Sequence, residues 1–526
     1  MNIVIITGEQ SYSILEEIVK NLQEHQFSIE VAPVSISAFI TKQMVRSLLS
    51  SLQISSVDLV LLPGFIQWDT VSLEGQFNVK IRKGPEFASD LPVIIEQLED
   101  IELSTTIPAN KLLQVSGEKE YKNLVQRKLK TAKEHICHHT FYVKKSRSDL
   151  MIGKYLPPPI IAEIVNCTEK TDAKIIRKVA HYSKTGADII DIGCVSNKPN
   201  PQRVREIIRL IRDKFNILIS IDSMDSNEIS AAVHEEIDLI LSLDLSNYRT
   251  FLDIPKDIPI VLLPTKIKEG FFPQDAETRV NNLLELTEIM QQHGFKKLIA
   301  DPLLETPIAP GMCNSLKAYF LYQEKVSQKK NLPLELPLFF GISNVVELMD
   351  VDSIGINGLL ASIATELEIG IVFTVEHSAK LMYGVAELKQ ALMLNYLAKG
   401  KKTPPINQGI SAFKAKGKTR EKIPNEVRNN LEENVIQAEE QKEYKPDKNG
   451  YFRIYIEHYS GKIFVLFYDN ADNFLHSFQG NTAEDLSKKI IEMNLTQNIQ
   501  HLNYLGRELA KAEYCLKSGK PYLQDQ

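Results

Sequence analysis

Nowhere in its 526 residues does the sequence hold an apolar run approaching the roughly 20 residues that a membrane-spanning helix needs. Cysteine is scarce. Cys137, Cys167, Cys194, Cys313 and Cys515 lie far apart, which suits reduced thiols and argues against a disulfide framework. Positive charge is not in excess: the net charge of -6 removes the electrostatic motive for nucleic acid or an anionic membrane surface as the main partner. The start, MNIVIITGEQS, lacks the basic region and long apolar core of a signal peptide and reads as a first strand. These absences leave a cytoplasmic protein as the expectation, with neither nucleic acid nor membrane among its partners.

What is present is material for several packed cores. A chain of this length with 43% hydrophobic and 24% charged residues is too long for one core, so two to four domains are expected. Residues 1–150 alternate strand and helix patterns. Asn2 to Ile6, Ile29 to Val34 and Asp58 to Leu62 read as strands, and Ile14, Leu15, Ile18, Val19 and Leu22 form a helical stripe. The expectation is a three-layer α/β domain of the Rossmann or flavodoxin-like kind. TGEQS after the first strand lacks the glycine spacing of a dinucleotide loop and is read as a strand-to-helix turn. His135, Cys137, His138 and His139 include metal-ligating types, but neighbours in sequence rarely face one centre, so they are read as a domain junction.

From 155 to 398 the pattern repeats with few interruptions. The first unit is the clearest: Ile160 to Val165, a helical stripe of Ile175, Ile176, Val179, Ala180 and Tyr182, then Ile189 to Ile192. Six more apolar runs follow, ending near Asp222, Asp244, Pro264-Thr265, Asp301, Gly341 to Asn344, and Glu376-His377. Eight strand and helix units in about 240 residues predict a closed (β/α)8 TIM barrel. Residues 399–447 turn to charge, Pro and Gly and read as a polar linker. Residues 448–526 predict a small α+β domain: a three-stranded meander turning at Ser460-Gly461 and Asp469-Asn470, followed by two helices.

The chemistry is expected where the apolar runs stop. Asn166, Asp191, Asp222, Asp244, Asp301 and Asn344 all fall at or near strand ends, and a barrel gathers such ends round one bowl. One Asp after a strand means little, because turns favour Asp and Asn. Six of them, with few Lys or Arg among them, call for a ligand rich in N–H donors or for a metal ion. A pterin-like or guanine-like ring meets that description.

The residues themselves resemble a family. IVNCTEK, GADIIDIG followed by VSNKP, ISIDS and LIADP are similar, in this order, to the first-, second-, third- and sixth-strand motifs of the pterin-binding barrel enzymes. These include the dihydropteroate synthases and the methyltetrahydrofolate-dependent corrinoid methyltransferases. The resemblance implies that Asp222 and Asp301, with Asp244 and Asn344, bind the pterin ring. It places Asn166 on the leaving-group side, where Mg²⁺ would sit, and makes Asn166, Asp191 and Lys198 the candidate catalytic residues. The implied reaction condenses a hydroxymethyl-dihydropterin diphosphate with an arylamine, and barrels of this kind often form homodimers.

The pattern also departs from the synthases. Their Glu-Ser-Thr-Arg-Pro is here Val195-Ser196-Asn197-Lys198-Pro199, and their Ser-Arg-Lys after strand seven is Ser343-Asn344-Val345. The latter is closer to the methyltransferase version, whose substrate partner would be a corrinoid protein. The basic and imidazole pair after strand eight reads Glu376-His377, and the fourth-strand Asn falls on Leu241 or Ser242. The three-part layout is similar to that of the archaeal dihydropteroate synthase-related proteins, linked to tetrahydromethanopterin biosynthesis. A pterin-binding protein without catalysis is the third expectation.

Overall fold

The computed structural model of the chain describes residues 1–22, 25–99, 101–328, 335–406, 408–412 and 446–525. Most of the polar segment read as a linker, 413–445, lies outside them. The chain forms two compact units, one built on Met1–Asn123 and the other on Leu124–Lys402 together with the C-terminal residues.

In the first unit, β1 (Asn2–Thr7), β2 (Gln26–Val31), β3 (Leu59–Leu62) and β4 (Lys80–Lys83) make a parallel sheet in the order β2-β1-β3-β4. Alternate side chains serve opposite faces, as the period of a strand demands. Ile3, Ile5, Leu59 and Leu61 pack with Leu15, Ile94 and Leu113, which lie on α1 (Glu9–Val19), α4 (Leu91–Glu96) and α5 (Ala109–Glu134). Val4, Ile6, Val60 and Leu62 pack with Val45, Leu49 and Leu73 of α2 (Lys42–Ser51) and α3 (Val71–Phe77). The turn after β1 is already full: Glu9 N–H donates to Val34 O at 3.0 Å, Gln10 N–H to Ser35 O at 3.1 Å, and Gly8 N–H to Ser37 Oγ at 2.9 Å. A phosphate would find no spare N–H among these three groups, so the turn is a structural one.

The second unit opens with a hairpin, β5 (Thr140–Tyr142) and β6 (Met151–Gly153). Eight parallel strands follow: β7 (Ile160–Ile164), β8 (Ile189–Gly193), β9 (Leu218–Asp222), β10 (Leu239–Leu243), β11 (Ile260–Leu262), β12 (Leu298–Ala300), β13 (Phe339–Gly341) and β14 (Ile371–Val375). They run in order round a barrel, with β14 beside β7. Ala300 N–H donates to Pro337 O at 3.0 Å, and a parallel bridge joins Ala300 to Leu338, so the two ends of the sheet meet. The fold is the (β/α)8 barrel expected from the repeat.

The outer ring comprises α6 (Asp172–Thr185), α7 (Pro201–Lys214), α8 (Ser226–His234), α9 (Ala276–Gln292), α10 (Met312–Gln328), the short α11 (Ser343–Val346), α12 (Ser353–Glu366) and α13 (Gly384–Lys401). Each long helix buries an apolar stripe against the outward faces of the strands; on α6 these are Ile175, Val179 and Tyr182. Because α13 runs to Lys401, residues 399–401 complete the barrel instead of opening the linker.

Inside the barrel, the inward side chains near the strand starts are apolar: Ile161, Ile189, Leu218, Leu239, Val261, Ile299, Phe339 and Ile371. Phe141, Val143 and Ile152 of the hairpin join this cluster, so β5 and β6 stopper the amino-terminal end. The C-terminal module has the antiparallel sheet β15 (Tyr451–Glu457), β16 (Lys462–Tyr468) and β17 (Phe474–Gly480), backed by α14 (Ala483–Glu492) and α15 (Ile499–Ser518). It is tied to the barrel's flank. Lys178 Nζ donates to Glu376 O at 2.8 Å and to Tyr459 Oη at 3.3 Å, and Tyr383 Oη donates to His458 O at 2.9 Å.

Candidate functional site: an acidic bowl at the carboxyl end of the barrel

Two residues beyond the apolar layer, the inward positions of β7, β8 and β9 become polar, while Leu241 and Phe373 on β10 and β14 stay apolar. The register sets Glu163 of β7 opposite Asp191 of β8, Asp191 opposite Ser220 of β9, and Gly193 opposite Asp222. Asp191 therefore lies in mid-strand and not at a strand end, and it is fully buried. Ser220 Oγ donates to Asp191 Oδ1 at 2.6 Å, and Asp191 Oδ2 has no hydrogen-bond partner. Burial, then the nearby carboxylates of Asp222 and Glu163, hold the Asp191 carboxyl well above the usual range.

Asp222 closes β9. Its Oδ1 accepts from Ser242 Oγ, and burial raises its carboxyl against that hydrogen bond. Ser242 reaches it through a fault in β10: the register shifts between Ile240 and Leu243, and Ser242 has φ +67°. Thus the fourth strand contributes a hydroxyl where the resemblance leaves a choice between Leu241 and Ser242.

Asp301 follows β12. Its Oδ1 accepts from Leu303 N–H at 2.8 Å and lies 3.2 Å from Tyr319 Oη; burial pushes it up to about 7, opposed by those contacts and by Arg279. The Arg279 guanidinium is completely buried and holds this loop. It donates to Leu303 O at 3.0 Å and Pro273 O at 2.9 Å and pairs with Glu305. Asn344 braces the same loop from α11, donating through Nδ2 to Leu304 O at 2.9 Å, with Gly341 beneath its amide.

The other sequence-derived residues occupy different stations. Asn166 is exposed in the loop after β7, in the left-handed region at φ 50° that Asn tolerates. Asp244 is buried but turned to its own surroundings: it accepts from Ser246, from Asn247 N–H at 3.1 Å, from Thr265 Oγ1 at 3.0 Å and from Ile267 N–H at 2.6 Å. It ties the loops after β10 and β11 together. Lys198 is exposed and paired with Glu169 Oε1 at 2.6 Å. Glu376 turns outward, 2.7 Å from His181 Nε2 and accepting Val385 N–H at 3.1 Å, so it stays out of the bowl.

Glu163, Ser220, Tyr319 and Arg279 are missing from the sequence-derived set, and Ser242 stood there only as an alternative to Leu241. Glu163 had the plainest signal, a charged residue inside the apolar run IIAEIV. Burial pushes its carboxyl up to about 8, with Asp222 and Glu347 adding to the shift and Lys170 opposing it. Lys170 itself donates to Val165 O. Among the described residues no group of three or more His, Cys, Asp and Glu is placed to hold a metal ion.

The bowl at the carboxyl end of this closed parallel barrel is lined with Asp and Glu side chains, and the barrel carrying it matches the pterin-binding class. The pterin binding enzyme family model matches residues 166–355, and a second one, PterinBD-DUF4346, matches 446–525. The chain is 32% identical over 542 residues to "Uncharacterized protein MJ0107" of Methanocaldococcus jannaschii, covering all of this chain and 98% of that protein. A dihydropteroate synthase of Streptococcus pyogenes is 29% identical over 126 residues, 22% of this chain and 47% of that one. Among solved structures, the chain is similar to the Yersinia pestis dihydropteroate synthase at 19% identity and a TM-score of 0.37, covering 51% of this chain and 100% of that one. The chain belongs with the Methanocaldococcus protein to one family along its whole length, and its barrel carries the pterin binding enzyme domain. No described helix is long and apolar enough to cross a membrane.

Proposed function

We propose that the protein is a transferase acting on a hydroxymethyl-dihydropterin diphosphate, joining it to an arylamine in folate or tetrahydromethanopterin biosynthesis. The observation that carries this reading is the pair Asp222 and Asp301. Each commits Oδ1 to a protein donor and leaves Oδ2 without a described one, so the bowl offers acceptor oxygens to the N–H and amino groups of a flat heterocycle. In the reaction the carbon–oxygen bond to diphosphate breaks, the amine nitrogen bonds to the methylene carbon, and the amine gives up a proton. The ring becomes electron-poor as diphosphate departs, and carboxylates hydrogen-bonded to its N–H groups stabilise that charge.

Asn166 supplies one exposed amide oxygen beside the bowl, which suits Mg²⁺, an ion that takes few protein ligands and fills its shell from water and substrate phosphate. Bound there, the ion would neutralise charge on the leaving diphosphate. Lys198 and Lys170, on the loops after β8 and β7, are the cations suited to guiding an anionic co-substrate.

A second reading, methyl transfer from a methylated reduced pterin to a corrinoid protein, is favoured by Asn344, whose amide stands against the Asp301 loop at the position where the synthase motif carries its arginine. Incubating the purified chain with the pterin diphosphate, Mg²⁺ and either aminobenzoate or its ribosylated phosphate relative should release diphosphate. No release with both amines, together with demethylation of methylpterin only when cob(I)alamin is supplied, would replace the first reading by the second. Tight pterin binding with neither activity would leave a carrier.

A further inference from the structure

Glu163 lies inward on the first barrel strand, and no described N–H or O–H donates to its carboxyl. Space for that carboxyl exists because position 193 on the neighbouring strand is glycine: a Cβ there would come within 2.1 Å of Glu163 Oε1. Its neighbours are acceptors as well. Asp191, with one buried oxygen unpartnered, lies opposite it in register, Asp222 is next along, and Glu347 adds a third negative group; Lys170 is the cation that acts on it. A carboxylate left here would face carboxylates with no donor of its own, whereas a carboxylic acid brings an O–H to the site.

We propose that Glu163 is a specificity-determining residue of the ring site, which donates its carboxyl O–H to an acceptor atom of the bound heterocycle while Asp222 and Asp301 accept from its N–H groups. This inference rests on the pterin reading of the bowl. The site then selects rings that carry a donor edge and an acceptor atom side by side. It also explains why glycine stands at 193, where the inward position would otherwise take a side chain. The pH behaviour agrees: burial and the facing acids keep the Glu163 proton on until about pH 8.

The test is calorimetric titration of the full chain with 6-hydroxymethyl-7,8-dihydropterin at pH 7 and pH 9, for wild type, Glu163→Gln and Glu163→Ala. The amide of Gln keeps an N–H donor and cannot ionise, so Glu163→Gln should bind within about threefold of wild type at pH 7 while Glu163→Ala binds about tenfold more weakly. Between pH 7 and 9 wild-type affinity should fall about tenfold relative to Glu163→Gln; titration of the probe itself is common to both proteins and cancels in that ratio. Equal binding by wild type and Glu163→Ala, or a Glu163→Gln protein as weak as Glu163→Ala yet equally well folded by thermal melting, would overturn the role of Glu163 alone. Failure of wild type to bind the probe at any pH would instead bring down the pterin reading, and this inference with it.

Discussion

At the scale of single residues, the bowl is governed by what is absent next to each acid. Asp191, Asp222 and Asp301 each lean on a protein donor through one oxygen, and burial outweighs that support in every case. Under the proposed function, the N–H groups of the ligand would complete them. Asp301→Asn replaces an acceptor by a donor facing those N–H groups and should weaken binding of the reduced pterin by about 1–3 kcal/mol, read by titration calorimetry, with little change in melting temperature. The places of Asp222 and Asp301 at strand ends were legible in the residues alone, because each closes an apolar run, interrupted ahead of Asp222 by Ser220. Glu163 left a mark as well, a charge inside IIAEIV, but a single charge there looks like a strand's solvent face until the barrel shows that it has none. Lys198 and Asp244 were picked out by position along the chain, but their partners depend on contacts with Glu169 and with the loop at Thr265 to Ile267, which no local pattern encodes.

At the scale of elements, the eight strands could be read closely because a parallel strand covered on both sides is a plain apolar run. The irregular parts escaped. The register shift in β10 that brings Ser242 to Asp222 leaves no mark in a stretch reading LILSLD. The stopper hairpin hid for another reason: β5 and β6 have three residues each, too short for an alternation to be counted. Its contribution is measurable. Ile152 is completely buried among the first inward layer, so Ile152→Ala should cost about 2–5 kcal/mol of barrel stability in denaturant unfolding while leaving the bowl's geometry alone. The motif-bearing loops also rely on an element far away in sequence, since Arg279 on α9 grips the loop after β12 from beneath.

At the scale of the whole molecule, the acids of the bowl set a pH dependence. In the unfolded chain Glu163 and Asp301 lose their protons near pH 4, whereas in the folded chain they keep them to about 8 and about 7. The folded state therefore holds more protons across that window, and stability falls as pH climbs through it. The barrel should melt at a lower temperature at pH 8.5 than at pH 5.5, and Glu163→Gln should narrow the gap; scanning calorimetry at the two pH values reads it.

The hairpin at the barrel's foot has a kinetic corollary. With that end sealed by Phe141, Val143 and Ile152, the barrel's described residues leave the bowl to be entered from the carboxyl ends of its strands. Under the proposed function, a flat ring seated against the acids would lie beneath the second reactant, so ring-first, ordered arrival is the expected outcome of product-inhibition kinetics.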